Sequence, residues 1–536
     1  MIALQKNFLL TCSICVWLLI QFSSCDRFIN SDLKKTKATH LNPTSGGTFR
    51  LLVHQPRSLD PLFITTIYEY CIAEQIFNGL LKFDINLSPV PDLAESWTFS
   101  EDKTQINFQL KKGVYFHNGR ELVAQDVVNS FCRFFDPSLK VPVTVSKLVE
   151  LVEGVQDFKE GKVDSISGLL AKDKYTFQLS TTRPIGSILT LLAVSYFKVI
   201  PKEELLSLSE KPIGTGPFKF GGRQTQKTIT LTRNENYYNE KAYLDSLIFI
   251  VQKKESEKEL FEKFCNEEFD ILNVSRRLDT NSLRKKYQLL RGFKLGINFI
   301  GFNLKAPGLK KLEMRQAIAY AINREEIVNQ NKSTCRIANG IFPVGLPGFQ
   351  PQQKCYPFNP QKARQLLKNL NLNKLDTLQC WTNTPKPAKE YSEAPKIIAQ
   401  NLIDVGIETK IKTASSNEII SAIRNGQVAM FHLGFVAGIP LPSEYLADSF
   451  SALGGNNLFN YNNPEVDCLI DSSRHLFNYA EKIKLLQLVE QIIINNVPII
   501  PLFYSFNAYL CHNDVHGIEM GHLGIANIPM EKIWKD

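Results

Sequence analysis

Two hydrophobic periods interleave along the chain, and this limits the fold more than any other feature of the sequence. "TQINFQL" sets Ile106, Phe108 and Leu110 at every second position, and "YTFQLS" does the same with Tyr175, Phe177 and Leu179. That spacing belongs to half-buried strands. "DVVNSFCRFF" instead brings Val127, Phe131 and Phe134 onto one helical face, with Val128 and Phe135 alongside. "EMRQAIAYAI" spaces Met314, Ala317, Ile318, Ala321 and Ile322 as a helix does. Helix starts are marked as well. Asn323 stands three residues before Glu326, as in a capping box, and Asn359 precedes Pro360 as N-cap before a first-turn proline. Ala363, Leu366, Leu367 and Leu370 then form an apolar stripe. A further stripe of Ala394, Ile397, Ile398, Leu402 and Val405 closes at Gly406. This mixture predicts an α/β or α+β protein. A chain of 536 residues exceeds one core, so two or three lobes are expected. At 44% hydrophobic and 21% charged, it has the composition of a folded globular protein.

The N-terminus carries a different signal. Lys6 precedes "NFLLTCSICVWLLI", an apolar run too short to span a bilayer, and Ser23, Ser24 and Cys25 follow. This pattern predicts a signal peptide over residues 1–24. A Cys at its end resembles the bacterial lipobox, although Phe22 stands where Leu is usual. Cys25 is therefore the expected lipidation site, with cleavage to an exported soluble chain as the other reading. In the bacterial lipoproteins that this segment resembles, an Asp directly after the Cys, here Asp26, implies retention at the inner membrane, on the periplasmic side. The polar stretch that follows completes a lipid-anchored linker over residues 25–45. Eight cysteines lie beyond it, and Cys335 and Cys355, flanking a Gly/Pro-rich loop, form the best candidate disulfide.

The search for chemistry yields little. The net charge of +9 is dispersed, and its richest stretches, "LKKTK" and "RKKYQLLR", read as solvated faces; nucleic acid is not an expected partner. "GTGPFKFGG" has a Gly-x-Gly, but Pro217 follows and the period beyond it is strand-like, so it reads as a turn that something packs against. "CHNDVHGIEMGH" offers Cys511, His512, Asp514, His516 and His522, but at no standard zinc spacing. No metal, cofactor or catalytic group is expected.

Several stretches, taken in order, resemble one family. They are "GGTFRLLV" with "SLDP", "AEQIFNGLLKFD", "VPDLAESWTFSEDKTQINFQLKKGVYFHNGRELVAQDVVNSF", "GTGPFKF", "NENYYN", "FIGFNLKAPGLKKLEMRQAIAYAINREEIV", "ANGIFPVGLPGF", "YPFNPQKARQLL" and "NPEVDCLI". The chain resembles the extracytoplasmic solute-binding proteins of family 5, the oligopeptide- and dipeptide-binding group of ABC importers. The resemblance implies a bilobal α/β fold of the type II periplasmic-binding-protein class with an additional small domain. It places lobe I in residues 46–80, 183–294 and 498–536, the inserted domain in 81–182, and lobe III, the opposite jaw, in 295–497. It also implies a monomer that closes on an extended oligopeptide and delivers it to permease subunits without catalysis.

Six ligand-binding positions follow from the same resemblance: Glu69, Asn129, Phe299, Gly301, Phe435 and Gly438. Tyr68 and Tyr70 are weaker candidates. In "GFVAGIPLPSEYL", Gly438 takes the place of an Asp that commonly pairs with the peptide's amine, and Glu69 remains as a cleft acid. The loss at Gly438 keeps a non-standard ligand open: a cell-wall peptide, a sugar or a chelated metal.

Overall fold

An eleven-stranded mixed sheet runs through the protein. The computed structural model describes residues 42–139, 151–205, 207–224, 227–274, 283–330, 335–353, 355–370, 377–383 and 393–536. The signal segment, Cys25 and most of the linker lie outside the described residues. No described helix is long and apolar enough to cross a membrane.

In chain order the strands are β1 (Thr48–Val53), β2 (Leu81–Phe83), β3 (Pro89–Pro91), β4 (Ala94–Phe99), β5 (Gln105–Leu110), β6 (Leu169–Ala171), β7 (Thr176–Ser180), β8 (Phe218–Gln224) and β9 (Thr228–Arg233). There follow β10 (Ser246–Val251), β11 (Ile271–Val274), β12 (Gln288–Phe302), β13 (Cys335–Ile337), β14 (Leu378–Asn383), β15 (Thr409–Ala414), β16 (Met430–Val436) and β17 (Ile499–Cys511). The large sheet has the order β15-β14-β16-β12-β17-β11-β1-β10-β9-β8, and β13 also pairs with β17. β12 and β17 pair antiparallel at its centre, over 15 and 13 residues. Ordinary strands run about 5–6 residues, so this pair is long enough to belong to both halves of the sheet. The expected lobe division at 294/295 falls inside β12.

A second sheet, β4-β5-β7-β6, lies wholly within the residues expected for the small domain. Ile106, Phe108, Leu110, Phe177 and Leu179 are buried there as the alternation predicts. A helix at Ala124–Phe135 lies against β6 and β7 and buries Val127, Phe131, Phe134 and Phe135. Phe131 meets the rings of Phe177 and Phe197 edge-on at 5.4 and 5.1 Å.

The Gly-x-Gly turn is a packing device. A Cβ at Gly214 would lie 2.1 Å from the Ile76 carbonyl oxygen, and one at Gly216 would lie 2.4 Å from that of Gln75. His117 fastens the turn from the other side. Its Nδ1 accepts from the Gly214 N–H at 3.3 Å, and its Nε2–H donates to the Gly216 carbonyl at 3.0 Å. Burial pushes this imidazole down to about 4, so it stays neutral and serves both partners.

Two expectations, the disulfide and the capping box at Asn323, need correction. The Cys355 thiol is free and buried, so no bond joins it to Cys335. Asn323 accepts from the Glu326 N–H, but its own N–H donates to Asn401 Oδ1 at 2.8 Å, so the capping box is half made. The "CHNDVHGIEMGH" histidines are dispersed into packing: His512 stacks on Phe264 and His516 on Trp534. Among the described residues no cluster of His, Cys, Asp or Glu could hold a metal ion.

Glu490, on the helix Tyr479–Asn496, is 1% exposed, and its Oε1 accepts the N–H groups of Ile341 at 2.6 Å and Phe342 at 2.9 Å. Burial pushes its carboxyl up to about 7, despite those two donors. The folded state therefore keeps a proton that the unfolded chain releases above its ordinary value. Stability from this group is full at low pH and is lost as pH rises from the ordinary carboxylate range through about 7, by about 3 kcal/mol at most. Glu490→Gln should flatten that decline, read as the urea midpoint of variant against wild type at pH 5 and pH 8.

Candidate ligand-binding site

The centre of the sheet contains a fault. Phe293 pairs with Phe506 and Ile297 with Tyr504, so Lys294, Leu295 and Gly296 of β12 stand opposite the single residue Ser505 of β17. Such a bulge bends its strand and leaves backbone unpaired. On its other side β12 stays with β16 and the chain beyond it: Gly296 pairs with Val436, and Ala437 N–H donates to the Leu295 carbonyl at 2.7 Å. A cavity of about 450 Å³ opens at this place.

Its walls come from distant parts of the chain. The helix Ile67–Ile76, here α1, presents its N-terminus through Thr65, Thr66, Ile67, Tyr68 and Tyr70. Val194, Ser195 and Tyr196 follow, then Asn273 at the end of β11 and Asn507 and Tyr509 from β17. Phe293, Lys294 and Leu295 come from the bulge, and Val436, Ala437, Gly438, Ile439 and Pro440 face it. His522, Leu523, Ile525 and Ala526 complete the lining together with Ile64 and Phe83. The volume lies within the range of small-molecule sites, and the lining is apolar and aromatic with a few polar groups, as such sites are.

The electrostatics are one-sided. Lys294 is the one residue of fixed charge in the lining, and no carboxylate lines the cavity among the described residues. Burial pushes the His522 imidazole down, towards its neutral form. Burial also raises the phenols of Tyr68, Tyr70 and Tyr509, which stay protonated. Beneath Ser195 lies a carboxylate already committed. Glu74 accepts from Ser195 Oγ at 2.6 Å and from Lys198 Nζ at 2.9 Å.

Of the six expected ligand positions, the structure brings only Gly438 to the cavity wall, together with the weaker candidates Tyr68 and Tyr70. A Cβ at Gly438 would meet nothing within 4 Å, so neither crowding nor backbone angle requires glycine there. Glu69 is neither on the surface nor in the lining. It is fully buried and builds the start of α1. Its Oε1 accepts from Arg57 N–H at 2.7 Å, and its Oε2 accepts from Thr65 N–H at 2.9 Å and Thr66 N–H at 3.0 Å. Thr66 Oγ1 accepts in return from Glu69 N–H, a complete capping box.

The other four face elsewhere. Phe299 is 4% exposed and packs edge-on to Phe431 and Phe459. Gly301 makes room for the Phe431 ring, which a Cβ would meet at 2.4 Å. Phe435, although next to a lining residue, alternates inward and meets Tyr445 at 5.0 Å. Asn129 accepts from Gln125 Nε2 on its own helix at 3.1 Å. Sequence reasoning missed Lys294, Phe293, Asn507, Tyr509 and His522. The one available signal was "GFKLG", a lysine set between two glycines within a strand.

Burial alone would raise the Glu69 carboxyl, but the backbone donors at Thr65, Arg57 and Thr66 outweigh it and hold the group below its ordinary range. That stability is present above the ordinary carboxylate value and is lost as pH falls through the folded one. Glu69→Gln should cost about 1–2 kcal/mol at pH 7 by urea unfolding, and less at pH 3.

The geometry can be set beside known proteins. A family profile described as "Bacterial extracellular solute-binding proteins, family 5 Middle" matches residues 88–457. The chain is 26% identical over 511 residues to Heme-binding protein A of Haemophilus influenzae, covering 90% of this chain and 91% of the relative. It is 24% identical over 498 residues to the Dipeptide-binding protein of Escherichia coli, covering 88% and 91%. The solved structure of HbpA2 from Haemophilus parasuis superposes with a TM-score of 0.80 at 24% identity, over 91% of this chain and 100% of that one. These matches account for the bilobal α/β architecture around a central cavity, and the chain belongs to the bacterial extracellular solute-binding proteins of family 5.

Proposed function

We propose that the protein is the substrate-binding component of an ABC peptide importer. It encloses an extended oligopeptide between lobes I and III by hinge closure and delivers it to membrane permease subunits. The cavity at the β12 bulge carries this reading. It is bordered by α1, Asn273 and residues 522–526 from the expected lobe I, and by Leu295 and residues 436–440 from the expected lobe III. β12 supplies the hinge, because it is continuous across the division, and β17 pairs with it on both sides of that point. Unpaired strand backbone beside the bulge would hold the guest's main chain, with its side chains in the apolar space. The similarity to a dipeptide-binding protein supports a peptide guest. No bond is broken in this scheme.

In the same proposal Cys25 is acylated and residues 26–45 tether a monomer to the periplasmic face of the inner membrane. A second reading is favoured by the acid-free lining: a non-standard guest such as a cell-wall peptide, a sugar or a chelated metal. The similarity to a heme-binding protein belongs with that reading.

Mass spectrometry of material co-purified with the protein decides between the two. The importer reading expects peptides, and short apolar peptides should bind in calorimetry and be recovered intact. A sugar or metal chelate in their place, or cleavage of added peptide, overturns it. Gly438→Asp should raise affinity for peptides with free amino termini by about tenfold, since the position is open and lines the cavity; unchanged affinity in the same titration removes Gly438 from the amine's surroundings.

A further inference from the structure

Resting on that peptide-binding reading, we infer that the cavity selects guests that carry a carboxylate and apolar side groups but no free ammonium, with Lys294 as the carboxylate's partner. Lys294 is half-buried on the bulge and makes no hydrogen bond or ion pair among the described residues. Most buried or half-buried cations in this protein have a partner, as Lys198 has Glu74 and Arg474 has Glu444. A lysine aimed at an enclosed apolar space without one is a ready site for an anion, and closure of the lobes would strengthen the attraction by removing water.

The same surroundings disfavour a cation. An ammonium confined there would be desolvated and would meet Lys294, and no carboxylate among the described lining residues would offset either cost. Acids near the lining in sequence lie outside it: Asp84, next to Phe83, accepts from the Asn86 and Ser88 N–H groups, and Glu519, three residues before His522, is exposed. Glu69 is bound to the N–H groups that begin α1, and Glu74 is paired with Lys198. A neighbouring chamber of about 260 Å³ shares Tyr68, Asn273, Tyr509 and Ile525 with the cavity, and there Glu257 borders the space. Glu257 already has an interaction of its own within the fold. The guest is thus an amino-blocked or amine-free peptide, with its carboxylate at the bulge and its apolar groups against Tyr68, Phe293 and Tyr509.

Three probes test this by calorimetry on the wild-type protein: Ala-Leu-Phe, N-acetyl-Ala-Leu-Phe, and the C-terminal amide of the acetylated peptide. The acetylated acid should bind at least about tenfold tighter than either of the others. Lys294→Met should abolish the difference between acid and amide, and Lys294→Arg should keep it. Free Ala-Leu-Phe binding as tightly as its acetylated form overturns the inference and leaves the importer reading standing. An acid-to-amide ratio unmoved in Lys294→Met overturns the assignment of Lys294. If none of the three binds, the importer reading falls and this inference falls with it.

Discussion

The pairing of β12 with β17 is the constraint on which the remainder of the structure depends. Two very long strands run antiparallel through the middle of one sheet, and every other strand of that sheet is placed relative to them. A perfect ladder would fill the centre with hydrogen-bonded backbone and leave no space. The excess of Lys294, Leu295 and Gly296 over Ser505 breaks the ladder, a second and smaller shift follows between Asn298 and Phe299, and the cavity sits at the first break. Continuity on both sides of the fault keeps the halves of the protein joined. In the proposed scheme, binding and bending would share this one local irregularity.

Much of this architecture was legible because local chemistry and final burial agree. The alternations of Ile106, Phe108 and Leu110 and of Phe177 and Leu179 became one sheet face, and Asn359 with Pro360 began a helix as their chemistry requires. "GTGPFKF" proved to be a close approach to a helix end, which two glycines before a proline and a strand had signalled. The capping box of Glu69 was also written in the sequence, as Thr66 three residues before it, but it was read as a cleft acid by family position. A carboxylate surrounded by backbone donors at a helix start is a better guide than alignment with a ligand-contacting residue.

The candidate site was far less legible, for a physical reason. Alternation tells which residues share a strand face, but it does not say which of two faces meets the core. Phe299 and Gly301 share a face, and that face turned into the aromatic cluster of Phe431 and Phe459. Phe435 fell on the inner side for the same reason, one residue from a wall position. A one-residue slip, such as the one between the Asn298/Phe503 and Phe299/Pro501 pairs, exchanges the faces beyond it, and no periodicity count reveals where it or the larger bulge lies. Lys294 was therefore invisible as a site residue while being the lining's one fixed charge.

The crossing of the Gly214–Gly216 turn over the end of α1 has a further implication. The carbonyls it touches belong to the last turn of the helix, and the cavity is bordered by the first. A helix is stiff over so short a length, so displacement at one end is transmitted to the other as tilt. Any side chain introduced at Gly214 or Gly216 would act as a wedge, levering Thr65 to Tyr68 against the guest from two turns away. The shape of the recognition surface is in this sense set from outside it, by two missing methyl groups.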